Sequence, residues 1–273
     1  MQFDFNLILQ FLDSIPPEIV DAGRRYLIAL VLLAVLVVIS KWQGLGIQDK
    51  LLVGTVRGTI QIILMGFILL ELFALQNLWL IFGVLTIMCV AAGHTASTNL
   101  DDVPGVFKVA VPSITVPTLL VMFLSILLGV IEPIGEFVIP MGGMLGGNAM
   151  GTTSLVIERM WSNAQKERNL LETALSLGAS PKQAIDATVT EAIRASFLPN
   201  LNRYAALGLA SIPGLMSGMI AGGMNPVAAA FYQVIIFIMI FLCLVICGMF
   251  VGRLFMDRIF NERYQIEVPA ARG

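Results

Sequence analysis

Charge is scarce in this chain. Of 273 residues only 12% are Asp, Glu, Lys or Arg, 58% are hydrophobic, and the mean hydropathy is +0.89. One soluble core cannot bury that much apolar surface, so a bilayer is the expected solvent. His94 is the only histidine, which excludes a multi-histidine metal site within one subunit. The three cysteines, Cys89, Cys243 and Cys247, all fall in apolar runs and imply no disulfide framework. Cys243 and Cys247 share a helix face and could form half of a soft-metal site. Nothing near them completes a ligand set, so small packing residues are the simpler reading. No Gly-x-x-x-x-Gly-Lys-Ser/Thr stretch occurs, so this subunit has no phosphate loop to cradle a nucleotide, and energy must come from a partner or an ion gradient. Carboxylates deep in the apolar runs are also missing, since Glu71, Glu132 and Glu136 lie near run ends; that argues against a gradient-driven carrier. The last run holds no lysine, which removes a retinal photoreceptor. There is no His-Glu-x-x-His, and an intramembrane serine protease would have to draw on His94 from the membrane edge.

What is present is a series of long, non-alternating apolar runs, which read as helices rather than barrel strands. The expected fold is an all-α integral membrane protein with seven spans, at about residues 22–40, 51–75, 78–97, 107–131, 134–157, 203–222 and 227–251. With the N-terminus outside, every Lys and Arg except Arg24 and Arg25 falls on the cytoplasmic side. The positive-inside bias therefore predicts N-out and C-in. The whole of 1–273 reads as one transmembrane domain in the cell membrane, with an external segment at 1–25, a cytoplasmic hairpin at 158–202 and a cytoplasmic tail at 252–273. Residues 1–25 carry Asp4 and Asp13 first and their arginines last, unlike a signal peptide. Phe3, Leu7, Phe11 and Leu12 suggest a short interfacial helix ending at Pro16 and Pro17. His94, beside Thr95, Ser97 and Thr98, reads as an interfacial residue.

The one substantial polar region runs from Ser162 to Arg203. A first helix is expected over 163–177 and a break over Gly178 to Pro181. Ser180 would cap a second helix with Pro181 at its first position and Gln183 completing a capping box. Pro199 is expected to end it. Ile185, Val189, Ile193 and Phe197 form its apolar ridge, shaped to enter a groove on another protein, while Asp186, Thr190, Glu191 and Arg194 lie on other faces.

Two glycine-rich segments flank that hairpin, at 141–150 and 212–226. Gly142, Gly143, Gly146, Gly147 and Gly151 could serve close helix packing. With Pro140 and Pro213-Gly214 they could instead break helices where backbone lines a cavity. Asn148 is an amide that needs partners in the bilayer. Met141, Met144, Met150, Met216, Met219 and Met224 are gap fillers or weak, soft ligands. These segments place a candidate substrate path between the fifth and sixth spans, with Glu132 and Glu136 as weak candidates for metal release at the outer exit.

Glu172-Thr-Ala-Leu-Ser-Leu-Gly178 resembles the coupling-loop signature of ABC-transporter permeases, although Leu198-Pro199 comes later than the importer pattern places its Leu-Pro. Gly147-Asn-Ala-Met150, Ala192-Ile-Arg-Ala195 with Leu198-Pro199, Ile212-Pro-Gly-Leu-Met-Ser-Gly218 and Tyr232-Gln233, together with Arg57 and Gln61, resemble the FetB (YbbM) family of iron-export ABC permeases over about residues 50–255. The resemblance implies a homodimeric permease that exports a metal and pairs with a separate, FetA-like ATP-binding subunit. That partner would bind ATP and Mg, leaving this subunit with no cofactor and no catalytic residue. It also implies coupling roles for Glu172, Gly178, Ser180, Pro181 and Arg194. The candidate path residues are Asn148, Met144, Met150, Pro213, Gly214, Met216, Tyr232 and Gln233. Plant relatives of this fold are associated with aluminium tolerance and nucleotide sugars, so a non-metal substrate stays open, as does a non-ABC intramembrane protein.

Overall fold

A computed structural model describes residues 16–75, 77–100, 102–261 and 265–266. Among these residues the chain is all-helical, with no strand: α1 (Pro17–Trp42), α2 (Gln48–Leu75), α3 (Leu78–Thr98), α4 (Val106–Leu127), α5 (Gly135–Lys166), α6 (Arg168–Ser176), α7 (Pro181–Ala205), α8 (Gly214–Ala221) and α9 (Pro226–Ile259). Five of them, α1 to α4 and α9, are long and apolar enough to cross a membrane. The interfacial helix expected around Phe3 to Leu12 lies outside the described residues.

The chain divides into two compact units, 1–70 and 71–273. In the first, α1 starts at Pro17, which occupies its first turn, where a missing N–H costs nothing. Asp21 pairs with Arg24 at 3.0 Å and Arg25 at 2.8 Å. The Tyr26 hydroxyl meets Thr59 Oγ1 at 2.6 Å, a direct tie between α1 and α2.

In the second unit α5 is the hub, packing on α3, α4, α7 and α9. Its mean hydropathy is low because glycines and polar residues interrupt it, so it does not stand out as a span by composition; protein neighbours rather than lipid cover its buried face. Met141, Leu145, Ala149, Val156 and Ile157 are fully buried there. Glycine explains the close approach to α3. A Cβ on Gly142 would lie 2.6 Å from Leu85 Cδ1, and one on Gly146 would sit 3.4 Å from Cys89 Sγ. Gly147 and Gly151 of the same helix meet nothing within 4 Å. Gly142→Ala is therefore expected to destabilise the protein in detergent by about 1–3 kcal/mol through overpacking. Gly147→Ala should be neutral or stabilising, as alanine is the better helix former. A thermal melt of the two variants measures the contrast; equal melting temperatures would remove the packing role.

Several expected boundaries need correction. Pro140 does not break α5, and Pro199 does not end α7. Each deletes one helical hydrogen bond, and packing on either side holds the helix through it: Ile139 and Met141 are buried around Pro140, and Ser196 and Asn200 around Pro199. The fourth helix stops at Leu127, not 131, where Gly129 turns the chain with φ +68°. The hairpin's first helix does not begin at 163, because α5 runs on to Lys166 and α6 starts only after Glu167. The last helix likewise continues from 251 to Ile259, since Val251, Phe255 and Ile259 remain fully buried. The expected sixth span, 203–222, is not one helix. It consists of the last turn of α7, an irregular loop, and the eight-residue α8, which at about 12 Å is too short to cross alone.

Candidate functional site

The α6–α7 tip is built from two stop-and-start devices placed back to back. Gly178 N–H donates to Leu175 O and Ala179 N–H to Ala174 O, closing α6 with Gly178 in the left-handed region at φ +94°. Ser180 Oγ then accepts the Gln183 amide at 3.3 Å while Gln183 Oε1 accepts the Ser180 amide at 2.9 Å, the expected capping box. Pro181 occupies the first turn of α7. Glu172 accepts from Arg168 Nε at 2.8 Å. The tip is exposed, Leu177 at 84%. Gly178, Ser180 and Pro181 thus share one turn, whereas Glu172 lies nearly two turns earlier on α6, paired with Arg168. Arg194 is not part of that turn either, since it lies about 20 Å further along α7.

The ridge of α7 is not free for another protein. Ile185 is 1% exposed, and Val189, Ile193 and Phe197 are half-buried. A Cβ on Gly252 of α9 would lie 2.8 Å from Val189 Cγ1, and one on Gly248 3.1 Å from Ile193 Cγ2. The sequence-based expectation of an external groove is overturned because two glycines four apart on α9 receive the ridge inside the chain. That small-xxx-small spacing was the signal that could have revealed it. Thr188 also donates to Glu167 Oε2 at 2.9 Å, tying α7 to the α5–α6 junction. These contacts join α7 to α9 and to the α5–α6 junction.

The candidate path residues fall into two groups. On α5, Asn148 is half-buried and donates to Met144 O at 2.7 Å within its own helix, so its amide is partly satisfied; Met144 and Met150 are half-buried beside it. Met141 is fully buried and belongs to the core. On the other side, α8 packs on α9. Pro213, Met216 and Gln233 line a cavity of about 330 Å³ with Leu207, Ile212 and Val234. Gln233 is 3% exposed; its Oε1 accepts the Met216 amide at 3.3 Å, while its Nε2 has no partner among the described residues. Gly214 opens α8 next to Pro213. Tyr232 links the groups by stacking on Phe137 of α5, ring centroids 5.3 Å apart.

Glu132 and Glu136 are exposed at the α4–α5 connection. Among the described residues no three His, Cys, Asp or Glu side chains come together to hold a metal. Cys247 Sγ sits 3.1 Å from Thr153 Oγ1 and Cys243 Sγ 3.7 Å from Thr118 Oγ1, all in the buried core. His94 is exposed and meets Phe107 edge-on.

Fold and composition together define a multi-pass integral membrane protein. The chain belongs to the Uncharacterised protein family (UPF0014), whose model matches residues 24–260. It is 34% identical to "Protein ALUMINUM SENSITIVE 3" of Arabidopsis thaliana over 88% of each chain. It is 31% identical to "Probable iron export permease protein FetB" of Escherichia coli (strain K12) over 88% of this chain and 93% of that one. A third relative, "UPF0014 membrane protein slr1647" of Synechocystis, is 32% identical over 87% of this chain and 93% of its own. No solved structure matches the chain.

Proposed function

We propose that this chain is the membrane-spanning permease subunit of an ATP-driven ABC exporter, working as a homodimer with a separate ATP-binding subunit, and that its substrate is iron or another metal. The observation that carries the reading is the exposed, doubly capped tip at Gly178, leading into a helix that Thr188 ties to the α5–α6 junction and that Val189 and Ile193 pack on α9. The tip, rather than the ridge of α7, is then the docking point for the ATPase, which supplies ATP and Mg. The iron-export name of a relative at 31% identity supports the substrate, and the aluminium-related name of another makes that metal a second cargo to assay.

The path on this proposal runs along Met144, Asn148 and Met150 of α5 and past Pro213, Gly214, Met216, Tyr232 and Gln233. The stretch from the end of α7 to α8 crosses as a discontinuous segment, because irregular backbone at membrane depth is tolerated where it lines a cavity. That keeps the N-out, C-in arrangement of seven crossings within one domain. The open faces of Gly147 and Gly151, and Leu209 at 94% exposure, supply surface for a second copy.

The test is ATP-dependent iron(II) movement in vesicles holding the chain and its ATPase. Asn148→Leu is expected to lower it on the order of tenfold, the equivalent of one unmet hydrogen bond. Met150→Leu keeps volume and removes the thioether: lost export with normal assembly assigns a ligand role, and unchanged export assigns gap filling. If both variants export normally, the path lies elsewhere.

A further inference from the structure

Away from that path, α7 and α9 enclose a groove of about 440 Å³. Its floor is apolar, formed by Val189, Ile193, Met249 and Met256, and its rim carries Lys182, Asp186 and Arg253. All three rim side chains are exposed, and none makes an ion pair or hydrogen bond among the described residues. Unpaired charges over a greasy floor suit a ligand that is itself amphipathic.

Depth identifies the ligand. From Pro226 to Gly252 α9 carries no charge, a length of about 40 Å that covers the hydrocarbon core and one interface. Arg253 is the first charge after it and therefore falls at headgroup level. Met249 lies one turn toward the acyl chains and Met256 one turn toward water. The rim has two cations and one carboxylate, a net single positive charge. That balances a phosphodiester, which carries one negative charge, better than a free phosphate, which carries closer to two.

We propose that this groove binds an anionic phospholipid, with Lys182 and Arg253 holding the phosphodiester and one acyl chain lying along Met249 and Ile193. Basic pockets between membrane helices bind such headgroups. A lipid seated there bridges α7 and α9 at their glycine crossing. Binding requires no ATPase and no transport, so it stands or falls separately from the exporter reading.

Trp161 gives the readout, since it packs on Phe255, ring centroids 6.3 Å apart, at the level of the groove. With Trp42 and Trp79 replaced by phenylalanine, the full chain is reconstituted in phosphatidylcholine vesicles and titrated with bromine-labelled lipids that quench tryptophan. Brominated phosphatidylglycerol is expected to quench Trp161 at much lower mole fraction than brominated phosphatidylcholine. Lys182→Gln and Arg253→Gln should each reduce that preference about fivefold, with the fold monitored by circular dichroism. Equal quenching by the two lipids, or a preference that survives the double variant, overturns the proposal. So does full competition by inorganic phosphate, which would make the site one for a free anion, or equal competition by phosphatidylethanolamine, which would remove net charge as the determinant. Should quenching be lost only when the ATPase is added, the lipid assignment for the free subunit is supported.

Discussion

Gly178→Val is expected to abolish transport-coupled ATP hydrolysis while leaving the membrane fold intact. Gly178 closes α6 at φ +94°, a conformation that a β-branched residue adopts only at a cost of about 1–3 kcal/mol. There is open space around it, with nothing within 4 Å of an added Cβ, so the effect is conformational rather than steric. The strain is relieved by opening the turn, which moves Ala179 and Ser180 and breaks the register between the cap of α6 and the capping box of α7. Helices α5 and α9 lie outside the turn and keep their packing. Purified variant and ATPase, assayed for substrate-stimulated hydrolysis and for melting temperature, give the result: normal melting with stimulation lost. Wild-type stimulation in this variant would sink the coupling role of the tip.

Gly252→Val acts where α9 meets α7 and should cost stability and, on the proposed coupling role, transport-coupled hydrolysis as well. A Cβ there already lies 2.8 Å from Val189 Cγ1, and the two further methyl groups have to displace α7 from α9. Overpacking of this kind costs about 1–3 kcal/mol. Val189→Ala in the same chain restores room, so the double variant should recover most of the lost melting temperature and coupling. If the double variant is additive rather than compensating, the two residues do not share the contact and α7 is not held by α9 at this point.

Much of this protein was legible in its sequence. Scarce charge and long apolar runs determined that it is a helical membrane protein, because no soluble core could absorb that surface. Ser180, Pro181, Gln183 and Gly178 determined the tip, since caps and left-handed turns depend on residues close in sequence. The family was also legible, from motifs whose order and spacing match.

Tertiary structure decided the rest. Pro140 and Pro199 read as breaks, yet buried neighbours hold both helices straight through them. The segment 203–222 has the composition of a span but folds as a helix end, a loop and the short α8. Whether the α7 ridge faced a partner or its own chain could not be read locally, because the answer lay in Gly248 and Gly252, more than fifty residues away. The glycines of α5 likewise divide into those that touch α3 and those that touch nothing. Hydropathy and capping are local and appear in a one-dimensional string. Which face meets which is a long-range choice, made only when Val189, Ile193, Leu85 and their glycines are brought within van der Waals distance.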